Sequence, residues 1–444
     1  MRTFASSIEF IHETQWDDLP QVVRRQARRC LLDTVGAGIG GSRTKLSKII
    51  RNFAAAAFGG YGAHLWLDGR EVSPPGAALA NGMTIDSLDI HDGHPLVKGH
   101  AGAAIVPATL ATIPLKNYSP VSGAEMLTTM VIGYEVALRA GIALHATACD
   151  YHTSGAWNAL GSAAVAARRL GLDREKTRHA LGIAEYHGPR SQMMRCIDCP
   201  TMLKDGSGWG AMTGVSAAYL AQESFTGAPA LTIEDQEAKQ YWDNLGQDWL
   251  IVGQYFKPHA VCRWAQPAIE AALVLQQTHR LLPDNINRIE VHTFHEAVRL
   301  NIRHPQSTEE AQYSLPFPLA AALAHGSLGV TELTQAALTD PNILQLADRI
   351  ELIEDQQFSS RFPAQRFARV IIQTQESERH DSGDVEARWD ATSPPSDQEL
   401  MAKFRRLARG ILADDRIDVL AEMIWQCADL PAAAALLDVI IKKN

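Results

Sequence analysis

Residues 81–107, NGMTIDSLDIHDGHPLVKGHAGAAIVP, place Asp89, Asp92, three histidines (His91, His94, His100) and a lysine (Lys98) in a glycine-punctuated loop between two apolar helical patterns. A connecting loop has no packing reason to collect proton-transfer groups, whereas binding and catalytic side chains concentrate on loops held by rigid scaffolds. An imidazole is a base near neutral pH, a carboxylate can orient it and set its tautomer, and a cation can stabilise the charge that proton removal creates. The run reads as an active-site loop.

Four other segments carry similar chemistry at boundaries between helical patterns. His152, in YHTSG (151–155), precedes an Ala-rich helix whose positive end favours a neutral imidazole, which suits a general base. Lys204 stands in TMLKDGSGWG (201–210), where glycines open a helix and its free N–H groups, with one lysine, make a ready anion site. The GxxxxGK[ST] spacing of a P-loop is absent. Lys257 and Arg263 lie six apart in FKPHAVCRW (256–264), and Arg190 marks a basic turn, HGPRS (187–191). Arginine grips a carboxylate through paired hydrogen bonds, and lysine acts as a point charge. Acids, neutral histidines and cations at helix ends are the parts for proton abstraction beside a carboxylate.

Helical periodicity positions these groups. Val23, Ala27, Leu31 and Val35 recur every four residues after Pro20, with Gly36 to Gly41 expected to end the run. Ser122 and Glu125 form a capping box ahead of a helix over 126–145. Further helices are predicted over 159–170, 173–184, 210–222 and 267–279. After Pro283 the character changes: IEVHTF (289–294), RVIIQT (369–374) and VEARW (385–389) read as strands, with helices over 315–324 and 333–338 between them. A second capping box, Ser396 with Glu399, restarts the helical pattern. The predicted fold is mainly α: a large helical domain (1–268), a smaller inserted α+β lid (269–393), and C-terminal helices (394–444) returning to the first domain.

The 444 residues carry a formal net charge of -9, which argues against nucleic acid as a partner because phosphate binding needs a basic face. Acids interrupt the N-terminal stretch where a signal peptide would be apolar, and the least polar run, 101–115, holds two prolines and is too short to span a bilayer. Six scattered cysteines read as reduced thiols, and the lone CxxC at Cys196 and Cys199 lacks the further ligands of a closed zinc site. The expectation is a cytoplasmic protein with no membrane segment.

The segments LLDTVGAGIGG (31–41), ANGMTIDSLDIHD (80–92), GHAGAAIVPATLA (99–111), GYEVALRAG (133–141), HTSGAWNALGSAAVAARRLGL (152–172), PTMLKDGSGWGAMTGVSAAYLA (200–221), SFTGAP (224–229), KPHAVCRWAQPAIEAAL (257–273) and AQYSLPFPLAAAL (311–323) occur in the order of the MmgE/PrpD family, which the chain resembles from about residue 10 to 440. The resemblance implies a helical domain with a small α+β lid, a homodimer, no cofactor or metal, and chemistry through a carbanion or enolate beside a carboxylate. It puts Asp89, His100, His152, Lys204 and Lys257 on the family's active-site positions. Asp92, Arg190 and Arg263 are candidate substrate-binding residues. Asp86 stands where the family often has His, His91 where it often has Asp, Gln266 where a Thr-His pair is common, and DGSGWG follows Lys204 in place of the usual His with AGR or TGS.

The expected function is a cofactor-independent, dehydratase-type lyase acting on a small di- or tricarboxylic acid. Lys204, Lys257 and Arg263 would hold carboxylates, one of His100 and His152 would remove the α-proton, and the other would protonate the departing hydroxyl. An epimerase or a decarboxylase of the same family is the alternative. From other classes come a metal-dependent hydrolase built on Asp89, His91, Asp92, His94 and His100, and a non-catalytic dicarboxylate-binding protein. The substrate is expected in a cation-ringed cleft beside the lid.

Overall fold

The computed structural model describes residues 4–114 and 120–442. The apolar repeat after Pro20 builds the 21-residue helix Gln21–Gly41, which runs straight through the glycines expected to end it. Those glycines serve helix packing. A Cβ on Gly36 would sit 3.0 Å from the Phe404 ring, and one on Gly41 only 2.1 Å from the Thr84 carbonyl oxygen. The C-terminal helix Asp397–Ala408 and the helix Pro74–Asp86 lie in those gaps.

The helices Gly123–Thr147, Gly155–Leu170 and Ser207–Gln222 pack into the centre of the helical body. Ser122 caps the first by accepting from the Glu125 backbone N–H, while the Glu125 carboxylate turns to Arg168 at 2.8 Å, so only half of the predicted capping box forms. Gly123–Thr147 is long and apolar enough to cross a membrane, but 94% of its most apolar window is buried inside the protein. The box at Ser396 and Glu399 is complete.

The C-terminal region holds a small mixed sheet in the order Ile350–Glu354, Ile286–Thr293, Phe367–Thr374, Arg379–Asp381, with Val385–Glu386 also paired to Phe367–Thr374. The first pair is parallel and the others are antiparallel. Helix Gln266–His279 packs on the strand Phe367–Thr374. The helix expected over 333–338 is instead two 3-10 turns, Thr331–Leu333 and Ala337–Thr339. The chain is thus mainly helical with a small sheet, and its last helices return to Gln21–Gly41.

Candidate active site

Helix Pro74–Asp86 delivers the active-site loop, and helix Gly102–Ala111 takes the chain away from it. Between them the loop is almost wholly buried, so its backbone polar groups need partners. Gly93 and Tyr255 exchange backbone hydrogen bonds at 3.1 and 2.8 Å, and the His94 N–H donates to the Gly99 carbonyl at 2.9 Å. Asp89 adopts a left-handed φ of 47°, which is tolerated because its carbonyl and its carboxylate are both held by Lys257.

Lys257 is fully buried and donates to Asp89 Oδ1 at 2.5 Å and to the Asp89 carbonyl at 2.9 Å. Burial opposes its charge, but the Asp89 carboxylate, together with Tyr255 and Cys262, raises the pKa. The ammonium also lies 3.5 Å from His100 Nε2, and Asp89 Oδ1 lies 3.7 Å from the same nitrogen. His100 Nδ1 sits 2.6 Å from the Asp92 carbonyl, which can only accept, so Nδ1 carries the proton and Nε2 the lone pair. Ser154 Oγ accepts from the His100 backbone N–H, and Asn158 donates to its carbonyl. Burial, with the charges of Lys257 and His91, drives the His100 pKa well below the usual imidazole value. The result is a fixed neutral imidazole beside a fixed ammonium.

Asp86 and His91, each a departure from the family pattern, form one buried pair at 3.1 Å. A hydrogen-bonded acid–imidazole pair is thus available there. Burial works against charging His91, but the Asp86 hydrogen bond and charge raise its pKa. Gln266 donates to the His259 and Val261 carbonyls, both at 3.0 Å, and so fixes the turn that follows Lys257. Lys204 is buried, has a φ of 51°, and donates to the Gln312 side-chain oxygen. The glycines after it do not cradle an anion. A Cβ on Gly210 would meet the Gly155 carbonyl oxygen at 2.5 Å, and the helix start is spent on close packing. Asp205 accepts from Ser154 Oγ, and burial together with Asp86 pushes its pKa up to about 7.

His100, Asp89 and Arg263 share a cavity of about 20 Å³ with Lys98, Tyr151, Tyr255, Tyr313 and Arg366. A groove of about 1120 Å³ lies on the other side of the 88–90 turn, where Leu88 and Ile90 face it while Asp89 faces the small cavity. The groove has the volume but lacks Asp89 and His100; its own titratable lining includes His259, Glu309 and Glu332, and His259 is paired with Glu270 at 2.7 Å.

The remaining predicted residues lie apart from this centre. His152 is half-buried and bonded through Nδ1 to the Asp150 carbonyl at 2.8 Å; its neighbour Tyr151 reaches the cavity instead. The Asp92 carboxylate points into the core, accepts from Tyr134 at 2.7 Å, and has its pKa pushed to about 6 by burial and Asp33; only its carbonyl serves the site. Arg190 is exposed on the surface. Arg263 does line the cavity but is already paired with Asp390 at 2.7 Å. Reading from sequence missed Arg366 and the tyrosines, because a lone basic or aromatic residue beside a strand or turn looks like ordinary surface or core.

Asp86, Asp89 and His91 bring three possible metal ligand atoms within 4.8 Å of one another. The fit to a cation is poor. Lys257 already puts an ammonium on Asp89 Oδ1, and Asp86 holds His91 toward its protonated, non-ligating form. His94, also in the cluster that suggested a metal hydrolase, has its pKa pushed down to about 4 by burial and sits against Gly253, away from these ligands.

The MmgE/PrpD N-terminal domain model matches residues 7–243, and the MmgE/PrpD C-terminal domain model matches residues 259–427. Among similar curated proteins, the cis-aconitate decarboxylase of Homo sapiens is 26% identical over 96% of this chain and 92% of its own. The cis-aconitate decarboxylase-like protein oryM of Aspergillus oryzae is 23% identical over 93% and 92%. The mitochondrial 2-methylcitrate dehydratase of Yarrowia lipolytica is 23% identical over 92% and 84%.

Proposed function

The chain belongs to the MmgE/PrpD family, and from that premise we propose that it is a cofactor-independent lyase, of dehydratase type, for a small di- or tricarboxylic acid. One observation carries this reading: the neutral His100 imidazole, with its Nε2 lone pair free to act as a base, lies 3.5 Å from an ammonium that Asp89 keeps charged. His100 Nε2 takes the proton from the carbon alpha to a carboxylate. Lys257 stabilises the enolate that develops. The imidazolium then passes the same proton to the hydroxyl leaving from the same face, water departs, and His100 returns to its neutral form. One imidazole therefore suffices, which accords with His152 lying outside the cavity.

Decarboxylation is the second reading. It is favoured by the relatives named cis-aconitate decarboxylase and by the charged Lys257, which can give a proton to the carbanion left by carbon dioxide and regain one from solvent. The test is incubation of the protein in deuterated buffer with citrate-like, aconitate-like and amino-dicarboxylate compounds, followed by NMR. Loss of water supports the dehydratase, loss of carbon dioxide selects the second reading, and deuterium at the α-carbon without other product indicates an epimerase. Ligand-induced thermal stabilisation without turnover would make the protein a binder and overturn the lyase.

A further inference from the structure

The cations that sequence reading assigned to substrate carboxylates are already engaged: Lys257 with Asp89, Arg263 with Asp390, Lys204 with Gln312. Arg366 is not. It enters the cavity wall just ahead of the strand Phe367–Thr374, is 3% exposed, and makes no ion pair among the described residues. Its Nε is buried without a hydrogen-bond partner, and its guanidinium lies 5.6 Å from the centre of the Phe362 ring. Glu386 is in electrostatic reach but forms no ion pair with it, and burial and Asp390 raise the Glu386 pKa. Lys98 lines the same cavity with a left-handed φ of 50° and its ammonium 4.3 Å from the Tyr151 ring centre. Arg366 acts on Lys98 as a like charge and helps to lower its pKa, after burial, so the pair is mutually repulsive as it stands.

A buried cation without a counter-charge is strongly unfavourable, and half-buried Lys98, with Glu296 in electrostatic reach, adds a like charge facing the same cavity. An anion between them removes both costs at once. We propose that Arg366, assisted by Lys98, is the receptor for a substrate carboxylate remote from the carbon on which His100 acts. The inference rests on the lyase reading of the His100 centre and deepens it: besides the carboxylate next to the carbon that His100 deprotonates, the substrate has a second one, held by a guanidinium from the sheet-bearing part of the chain.

The probes are tricarballylate, a saturated tricarboxylate with no hydroxyl to lose, and butyrate, which has a single carboxylate. Their binding is measured by calorimetry on wild type, Arg366→Gln and Lys98→Gln. Arg366→Gln should weaken tricarballylate about tenfold or more while changing butyrate less than about twofold. Its ligand-free melting temperature should hold or rise, because an unpaired buried charge is removed, whereas a structural arginine would lower it. Lys98→Gln should give a smaller loss, about threefold, with the same ligand preference. Unchanged tricarballylate binding in Arg366→Gln, or equal loss of both ligands, overturns the receptor while leaving the His100 reading intact. Should Arg366→Gln fail to fold, unchanged tricarballylate binding in Lys98→Gln overturns it. If wild type binds neither acid and turns over no carboxylate, the lyase reading falls and the receptor with it.

Discussion

Two buried lysine–aspartate pairs grip adjacent carbonyls of the active-site loop, and only one of them adjoins an imidazole beside a cavity. Lys257 bonds Asp89 Oδ1 and the carbonyl of Asp89; Lys403 bonds Asp33 Oδ1 and the carbonyl of Ile90, both at 2.6 Å. For Lys403, burial outweighs Asp33 and the pKa falls; for Lys257, burial is offset by Asp89 together with Tyr255 and Cys262, and the pKa rises. The decisive difference is what lies beyond the ammonium. Lys403 is enclosed where helix Asp397–Ala408 meets Gln21–Gly41, while Lys257 faces a neutral imidazole beside a cavity. A buried ion pair alone does not mark a site. A pair adjoining a free base and a cavity does.

The largest effect should come from the reactive member of the two. Lys257→Met should cost on the order of a thousandfold in kcat, and His100→Asn on the order of a hundredfold or more, measured on whichever carboxylic acid the protein converts. Near-wild-type turnover in either variant would erase the distinction between the pairs. Lys403→Met should show the opposite balance. It leaves Asp33 buried and uncompensated and should lose about 3–5 kcal/mol of stability. Adding Asp33→Leu should recover most of that loss, and denaturant unfolding of the single and double variants checks both statements.

The contrast extends to pH. His100 is held neutral by burial and by Lys257, so kcat/KM should stay flat down through pH 6.5 and fall only as the pH drops through its depressed pKa. Asp205 behaves in the reverse sense. Its folded pKa of about 7 lies above the unfolded value of 3.8, so its contribution to stability is full below about pH 3.8 and is lost as pH rises through about 7. Asp205→Asn should therefore flatten the decline of melting temperature between about pH 4 and pH 7, and an unchanged slope would show that another group titrates there.

Much of this was legible in residue types. The loop at 81–107 announced itself by density, and Asp89, His100 and Lys257 do converge. Helix and strand periods located most elements, because one buried face repeats at 3.6 or 2 residues. The glycines at Gly36 to Gly41 misled, since their role is close helix contact and not termination. Arg366 was silent because an arginine ahead of a strand resembles a solvated edge; only the tertiary fold carries it to a cavity whose other groups come from residues about fifty positions or more away. Asp86 and His91 read in sequence as two separate departures, and only the fold shows them in contact.

The smallest predicted effect is the sharpest check on how far family position determines role. The resemblance carries both His100 and His152 into the site, yet their surroundings differ in kind. His100 is buried, held through its backbone by Ser154 and Asn158 and through its ring by the Asp92 carbonyl. His152 is half-buried, its ring stacks on His145 at 6.5 Å between centroids, and Nδ1 is tied to its own loop at Asp150. A base that must reach an α-carbon beside Lys257 needs the first environment. His152→Gln should therefore lower kcat less than about tenfold, with any change falling mainly on KM through the adjoining Tyr151 and Met193. A loss as large as that of His100→Asn would require the 148–153 segment to turn inward over bound substrate, bringing a second imidazole to the leaving group and making the elimination a two-histidine reaction.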